Sequence, residues 1–141
     1  MNILDPDRRY LITGAAGFLG EALLDRLESL GCTNVVTVSR NEGNLIKIKQ
    51  KYPWLEIIPG DISNPHCLHK GMKGVNGVFH LAAFKHVGMA ETHCRECIAS
   101  NTLGSMHLLD ETLDYDLDFV IGISTDKAAQ VVGIYGASKL L

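Results

Sequence analysis

Two short stretches hold the residues best suited to acid–base chemistry. Tyr135-Gly-Ala-Ser-Lys139 spaces a phenol and an ammonium by four residues, which puts both on one face of a helix. Just upstream, Ser124-Thr125-Asp126-Lys127 sets hydroxyl, carboxyl and amine groups in succession. Far from both lies Thr13-Gly14-Ala15-Ala16-Gly17-Phe18-Leu19-Gly20, a glycine-rich loop of the kind that cradles a dinucleotide. Gly14 permits the tight turn, Gly17 lets backbone approach a pyrophosphate, and Gly20 lets helix and strand pack closely. Ala16, Phe18 and Leu19 complete the wall at the helix N-terminus, whose N–H groups and dipole favour an anion. With a nicotinamide cation and the Lys139 ammonium close by, the Tyr135 hydroxyl would serve as a base near neutral pH.

Further candidates follow the same chain order. Ser39-Arg40-Asn41 falls where the adenosine ribose would lie, and Arg40 can pair with a 2′-phosphate. No Asp or Glu occupies the ribose position, and only the nearby Glu42 argues otherwise, so NADP is expected over NAD. Asp61-Ile62 offers a carboxylate to the adenine amino group, or alternatively a cap or turn before Pro65. In His80-Leu81-Ala82-Ala83 the small alanines let a cofactor lie close, while His80 reads as a packed core histidine. Asn101, polar on an apolar helical seam, needs hydrogen-bond partners and is expected to make a structural bond into the site wall.

The elements that must position these groups alternate along the chain. Apolar runs at Tyr10–Thr13, Asn34–Ser39, Leu55–Ile58, Gly77–Leu81 and Phe119–Ile123 read as strands covered on both faces, the habit of parallel sheets. Helices are expected at about Gly17–Leu30 (with Leu19, Leu23, Leu27 and Leu30 on the buried face), Asn44–Tyr52, from Pro65 to Gly71 or Gly74, and about Glu91–Leu113. The last carries Cys94, Ile98, Asn101, Ser105, Leu108 and Thr112 as a buried seam. A final helix opens at Ile134–Leu141. This rhythm predicts an α/β doubly wound parallel sheet, Rossmann-like, with strand order 3-2-1-4-5.

Composition narrows the classes. The 141 residues are 46% hydrophobic and 21% charged with a net charge of −3, a balance that suits one ordinary globular domain. Basic residues are scattered, so no nucleic-acid partner is expected. The near-apolar stretch Gly77–Phe84 is too short for a bilayer, and Met1–Arg9 lacks the character of a secretory leader, which points to the cytoplasm. Cys32, Cys67, Cys94 and Cys97 are then expected reduced. Cys94-Arg-Glu-Cys97 has the spacing of half a zinc site, but no second pair accompanies it, and no metal is expected.

Taken together, the glycine loop, Asn101 and Tyr135-x-x-x-Lys139 resemble the extended short-chain dehydrogenase/reductase superfamily. More narrowly, Ser39-Arg40-Asn41-Glu42, Ala82-Ala83-Phe84-Lys85-His86-Val87, Glu96-Cys97-Ile98 and Ser124-Thr125-Asp126-Lys127-Ala128 resemble its polysaccharide-biosynthesis branch of UDP-N-acetylglucosamine 4,6-dehydratases. The resemblance implies NADP as cofactor, with Leu81 and Lys85 added to the cofactor wall, and a UDP-sugar substrate. It implies that Tyr135 takes the 4-hydroxyl proton, Lys127 removes the C5 hydrogen, and a protonated Asp126 donates to the leaving 6-hydroxyl. Thr125 would bond the 4-oxygen, and Lys139 would hold the ribose and tune Tyr135. It further implies that residues 1–141 form the cofactor half only, truncated before the substrate domain. Homo-oligomers are expected through the 91–113 helix or an open sheet edge. Phe18 replaces a small residue of the branch, and Gln130-Val131 stands where the branch has Asn-Pro. An epimerase or reductase, or an inactive NADP-binding fragment, is the alternative reading.

Overall fold

The computed structural model describes residues 3–141, so Met1 and Asn2 of the segment read as lacking a leader lie outside it. Five parallel strands form one sheet in the order β3-β2-β1-β4-β5, as the alternating pattern predicts. They are β1 (Tyr10–Thr13), β2 (Val35–Ser39), β3 (Glu56–Pro59), β4 (Gly77–His80) and β5 (Phe119–Gly122). The helices are α1 (Phe18–Ser29), α2 (Glu42–Lys51), α3 (Pro65–Met72), α4 (Val87–Ala90), α5 (Cys94–Ile98), α6 (Gly104–Thr112) and α7 (Gly133–Leu140). Among the described residues no helix is long and apolar enough to cross a membrane.

Strand alternation divides the core between the two faces. Tyr10 and Ile12 of β1 point with Val35 toward Leu24, Leu27 and Ile48 on one side. Leu11, Val36 and Val38 point the other way, toward Leu68, Met72 and Leu108. Full burial of β1 follows from its central place, with β2 and β4 on its flanks. β5 departs from the two-sided cover expected of it: Phe119 and Ile121 pack inward, whereas Val120 and Gly122 are exposed. Among the described residues its outer edge pairs with no other strand.

Local chemistry moves several boundaries. α2 begins at Glu42 because the Asn41 side chain accepts from Asn44 N at 2.9 Å and caps it. On α1 the buried face is Gly20, Leu24 and Leu27, with Leu23 and Leu30 only half-buried and Leu19 turned outward. The expected continuous helix from Glu91 to Leu113 is instead α5 and α6 joined by a π-helical turn, Ala99–Leu103. A π turn inserts one extra residue, so the seam shifts by one position across it. Asn101 within the turn and Leu108 beyond it are buried as expected, while Ser105 and Thr112 are only half-buried. Before it Cys97 takes the buried place assigned to Ile98, which is exposed, and Cys94 is only half-buried. All four cysteines are free thiols.

Candidate functional site

A cleft of about 310 Å³ opens at the carboxyl ends of β1, β2 and β4, where the strand order reverses beside β1. Its floor is the β1–α1 turn. Gly14 has φ +77°, and a Cβ there would stand 2.8 Å from Ala82 N on the opposite wall. A Cβ on Gly17 would stand 2.8 Å from the Lys85 ammonium, which reaches over the loop from beyond β4. Bare backbone therefore faces a cation across the cleft, at the N-terminus of α1. That arrangement fits a pyrophosphate. Gly20 serves the third expected role, since a Cβ on it would run into Ala15.

Of the expected cofactor residues, Gly14, Ala16, Gly17, Ser39 and Arg40 line the cleft. Ile62, Leu81, Ala82, Ala83 and Lys85 close its other side. Phe18 and Leu19 contribute backbone at the helix start while their side chains point outward, Phe18 being 93% exposed. Asn41 is occupied in capping α2. Asp61 is also drawn into local structure: it accepts from Ser63 N at 2.8 Å, and Asn64, not Asp61, caps α3. Its second oxygen lies 3.7 Å from Arg40. Val38, Asn44, Gly60 and Ser100 also line the cleft and were not expected. Gly60 precedes Asp61 at the carboxyl end of β3, so strand position alone would have found it.

Asn101 does not line this cleft; it braces its wall. Its Oδ1 accepts from Phe84 N at 2.7 Å, and its Nδ2 donates to Ser138 Oγ at 3.0 Å. The bond expected of it is therefore made twice, to the Ala82–Phe84 loop and to α7. His80 is similarly engaged, with Nδ1 2.7 Å from Thr13 Oγ1 and Nε2 2.8 Å from Ser105 Oγ. Burial, reinforced by the charge of Lys139, pushes the His80 pKa down to about 4, so the ring is neutral near pH 7.

None of the acid–base candidates lines this cleft; they lie together where α7 packs on the turn that carries Asp126 and Lys127. Tyr135 and Lys139 share a face of α7 and are both half-buried. Lys139 lines a second cavity of about 330 Å³ with His80, Asn101 and Ser124, and burial lowers its pKa below the ordinary lysine value. Thr125, Asp126 and Lys127 form the first turn after β5, where Thr125 caps a short 3-10 helix. Lys127 Nζ donates to Asp126 Oδ2 at 3.0 Å, and Thr125 Oγ1 donates to Oδ1 at 3.1 Å. Those bonds, with Lys127 first, hold the Asp126 carboxyl below its usual range.

Comparison with known proteins agrees with this layout. Residues 10–141 match the family model described as polysaccharide biosynthesis protein. A UDP-glucose 4-epimerase of Rickettsia rickettsii is 35% identical over 141 residues, covering 96% of this chain and 41% of its own length. An inverting UDP-N-acetylglucosamine 4,6-dehydratase of Campylobacter jejuni is 32% identical over 136 residues, covering 94% of this chain and again 41% of its own. A solved dTDP-glucose 4,6-dehydratase from Streptomyces venezuelae, with NAD bound, superposes with a TM-score of 0.77 at 25% identity, across 94% of this chain and 48% of its own. The chain thus spans about two-fifths of the two sequence relatives. It belongs to the family described as polysaccharide biosynthesis protein.

Proposed function

We propose that residues 1–141 are the cofactor-binding part of an NADP-dependent UDP-N-acetylglucosamine 4,6-dehydratase. The observation that carries this reading is the Asp126–Lys127 pair, an acid and a base in contact at the end of β5 and just ahead of Tyr135 and Lys139. NADP over NAD is supported by Ser39 and Arg40 in the cleft, with no carboxylate at the end of β2.

A bound nicotinamide would supply hydride acceptance from C4 of the sugar and its return to C6. Around it, Tyr135 takes the 4-hydroxyl proton while Thr125 bonds the 4-oxygen. Lys139 holds the nicotinamide ribose and favours the Tyr135 phenolate. Once C4 is a ketone, the C5 hydrogen is acidic and Lys127 removes it as a proton. Asp126 gives its proton to the 6-hydroxyl, which leaves as water. As hydride returns to C6, Lys127 gives a proton back to C5, and the net change is loss of one water with no net oxidation. Because the bonds from Lys127 and Thr125 hold the Asp126 carboxyl below its usual range in the free chain, Asp126 must take up a proton before it can donate one, and desolvation by the bound sugar favours that uptake by penalising the carboxylate.

Variants in the complete polypeptide separate the steps. Tyr135→Phe should stop C4 oxidation, so no NADPH absorbance develops on mixing with UDP-N-acetylglucosamine. Lys127→Ala and Asp126→Asn should abolish dehydration, with C4 oxidation retained in Lys127→Ala. Unchanged product formation in the last two would sink the dehydratase reading. It would favour a 4-epimerase, the activity named for the 35% identical Rickettsia protein.

A further inference from the structure

We infer that Glu91 is a positioning residue for Tyr135 and Lys139. The helix bearing them has no cap of its own: Val132, at its N-cap position, makes no side-chain bond. The orphan donor at its start is taken by a residue more than forty positions earlier in the chain, for Glu91 Oε1 accepts from Ile134 N at 2.7 Å. A carboxylate also suits the positive end of the helix dipole. Gly133 makes this contact possible. Its φ is +81°, and a Cβ at that position would collide with the Glu91 carboxylate. Among the described residues Glu91 forms no ion pair, so the helix terminus is its one polar engagement.

The contact brackets the candidate base. On one side of Tyr135, Glu91 fixes the amide of Ile134. On the other, Ser138 Oγ donates to the Tyr135 carbonyl at 2.8 Å while accepting from Asn101. Both external anchors, Glu91 and Asn101, come from the segment between β4 and β5 that also braces the Ala82–Phe84 wall of the cleft. Glu91 thereby sets where the Tyr135 and Lys139 side chains stand relative to the glycine loop. The inference rests on the reading that these two residues hold the nicotinamide end of the cofactor.

Calorimetric titration of the 141-residue chain with two probes tests it. NADPH reports both ends of the cleft, whereas 2′,5′-ADP reports the adenosine end alone, remote from α7. Glu91→Ala should weaken NADPH about tenfold and leave 2′,5′-ADP unchanged. Glu91→Gln, which keeps the acceptor oxygen, should restore NADPH affinity to within about twofold. In a cycle with Lys139→Met the combined loss should fall short of the product of the single losses. Unchanged NADPH affinity in Glu91→Ala, equal weakening of both probes, or no rescue by Gln overturns the positioning role. If Lys139→Met leaves NADPH affinity intact, or the unsubstituted chain binds neither probe, the cofactor reading itself fails and Glu91 loses its role with it.

Discussion

Asn101 Nδ2 donates to Ser138 Oγ at 3.0 Å, and Ser138 Oγ in turn donates to the Tyr135 carbonyl. A buried amide on a π turn thus holds the helix of the candidate base, while its other end holds the backbone of Phe84. The cofactor wall and the acid–base helix are fastened by one side chain.

Removing that side chain leaves the Phe84 N–H and the Ser138 hydroxyl short of partners. Asn101→Ala should therefore lower stability by about 2 kcal/mol, the cost of buried polar groups left unsatisfied. Denaturant titration measures it. A loss below about 0.5 kcal/mol would show that water or the neighbouring Cys97 thiol replaces the amide.

Cofactor choice follows from the mouth of the cleft. The chain should bind NADPH more tightly than NADH, and Arg40→Ala should cost about 1.5–3 kcal/mol for NADPH alone, one charge-assisted contact. Because Asp61 lies 3.7 Å from the guanidinium in the structure, Asp61→Asn should release Arg40 and raise NADPH affinity. Equal affinity of the unsubstituted chain for both cofactors contradicts this account.

His80 gives stability a pH dependence of known sign. Its folded pKa of about 4 lies below the ordinary 6.5, so the unfolded chain binds the extra proton between those values. The stabilisation is fully present above about pH 6.5 and is lost as pH falls toward 4. It amounts to about 3 kcal/mol across that window. Denaturation of His80→Gln should show a slope flatter by that amount, and parallel slopes for the two proteins would contradict it.

Self-association is the fourth expectation. Among the described residues the outer edge of β5 is unpaired with Val120 exposed, and Met106, Leu109 and Leu113 stand exposed at α6 and its end. Light scattering at micromolar concentration should give at least a dimer, and Met106→Lys with Leu109→Lys should reduce it if α6 is the contact. A stable monomer shows that both surfaces stay free.

The fold was legible because each strand announced itself as a short apolar run and each glycine of the β1–α1 turn had a distinct job. Cleft residues at strand ends, such as Arg40 and Ala82, were legible for the same reason: a parallel sheet places its strand ends in one line. What stayed hidden were bonds made across the chain. No local pattern tells that a π turn will swap Ile98 for Cys97, that Asn41 will cap α2 rather than face a ligand, or that Glu91 will meet Ile134. Nor does the run Asp126-Lys127 disclose that its two side chains bond to each other.

The complete polypeptide, loaded with NADP and incubated with UDP-N-acetylglucosamine in deuterated water, tests the central claim most directly. The account predicts a product that has lost one water and gained one deuterium at C5, since Lys127 removes that hydrogen and exchanges it with solvent before C5 is reprotonated. A product of unchanged mass, inverted at C4 and carrying no deuterium on carbon, would contradict it and identify an epimerase.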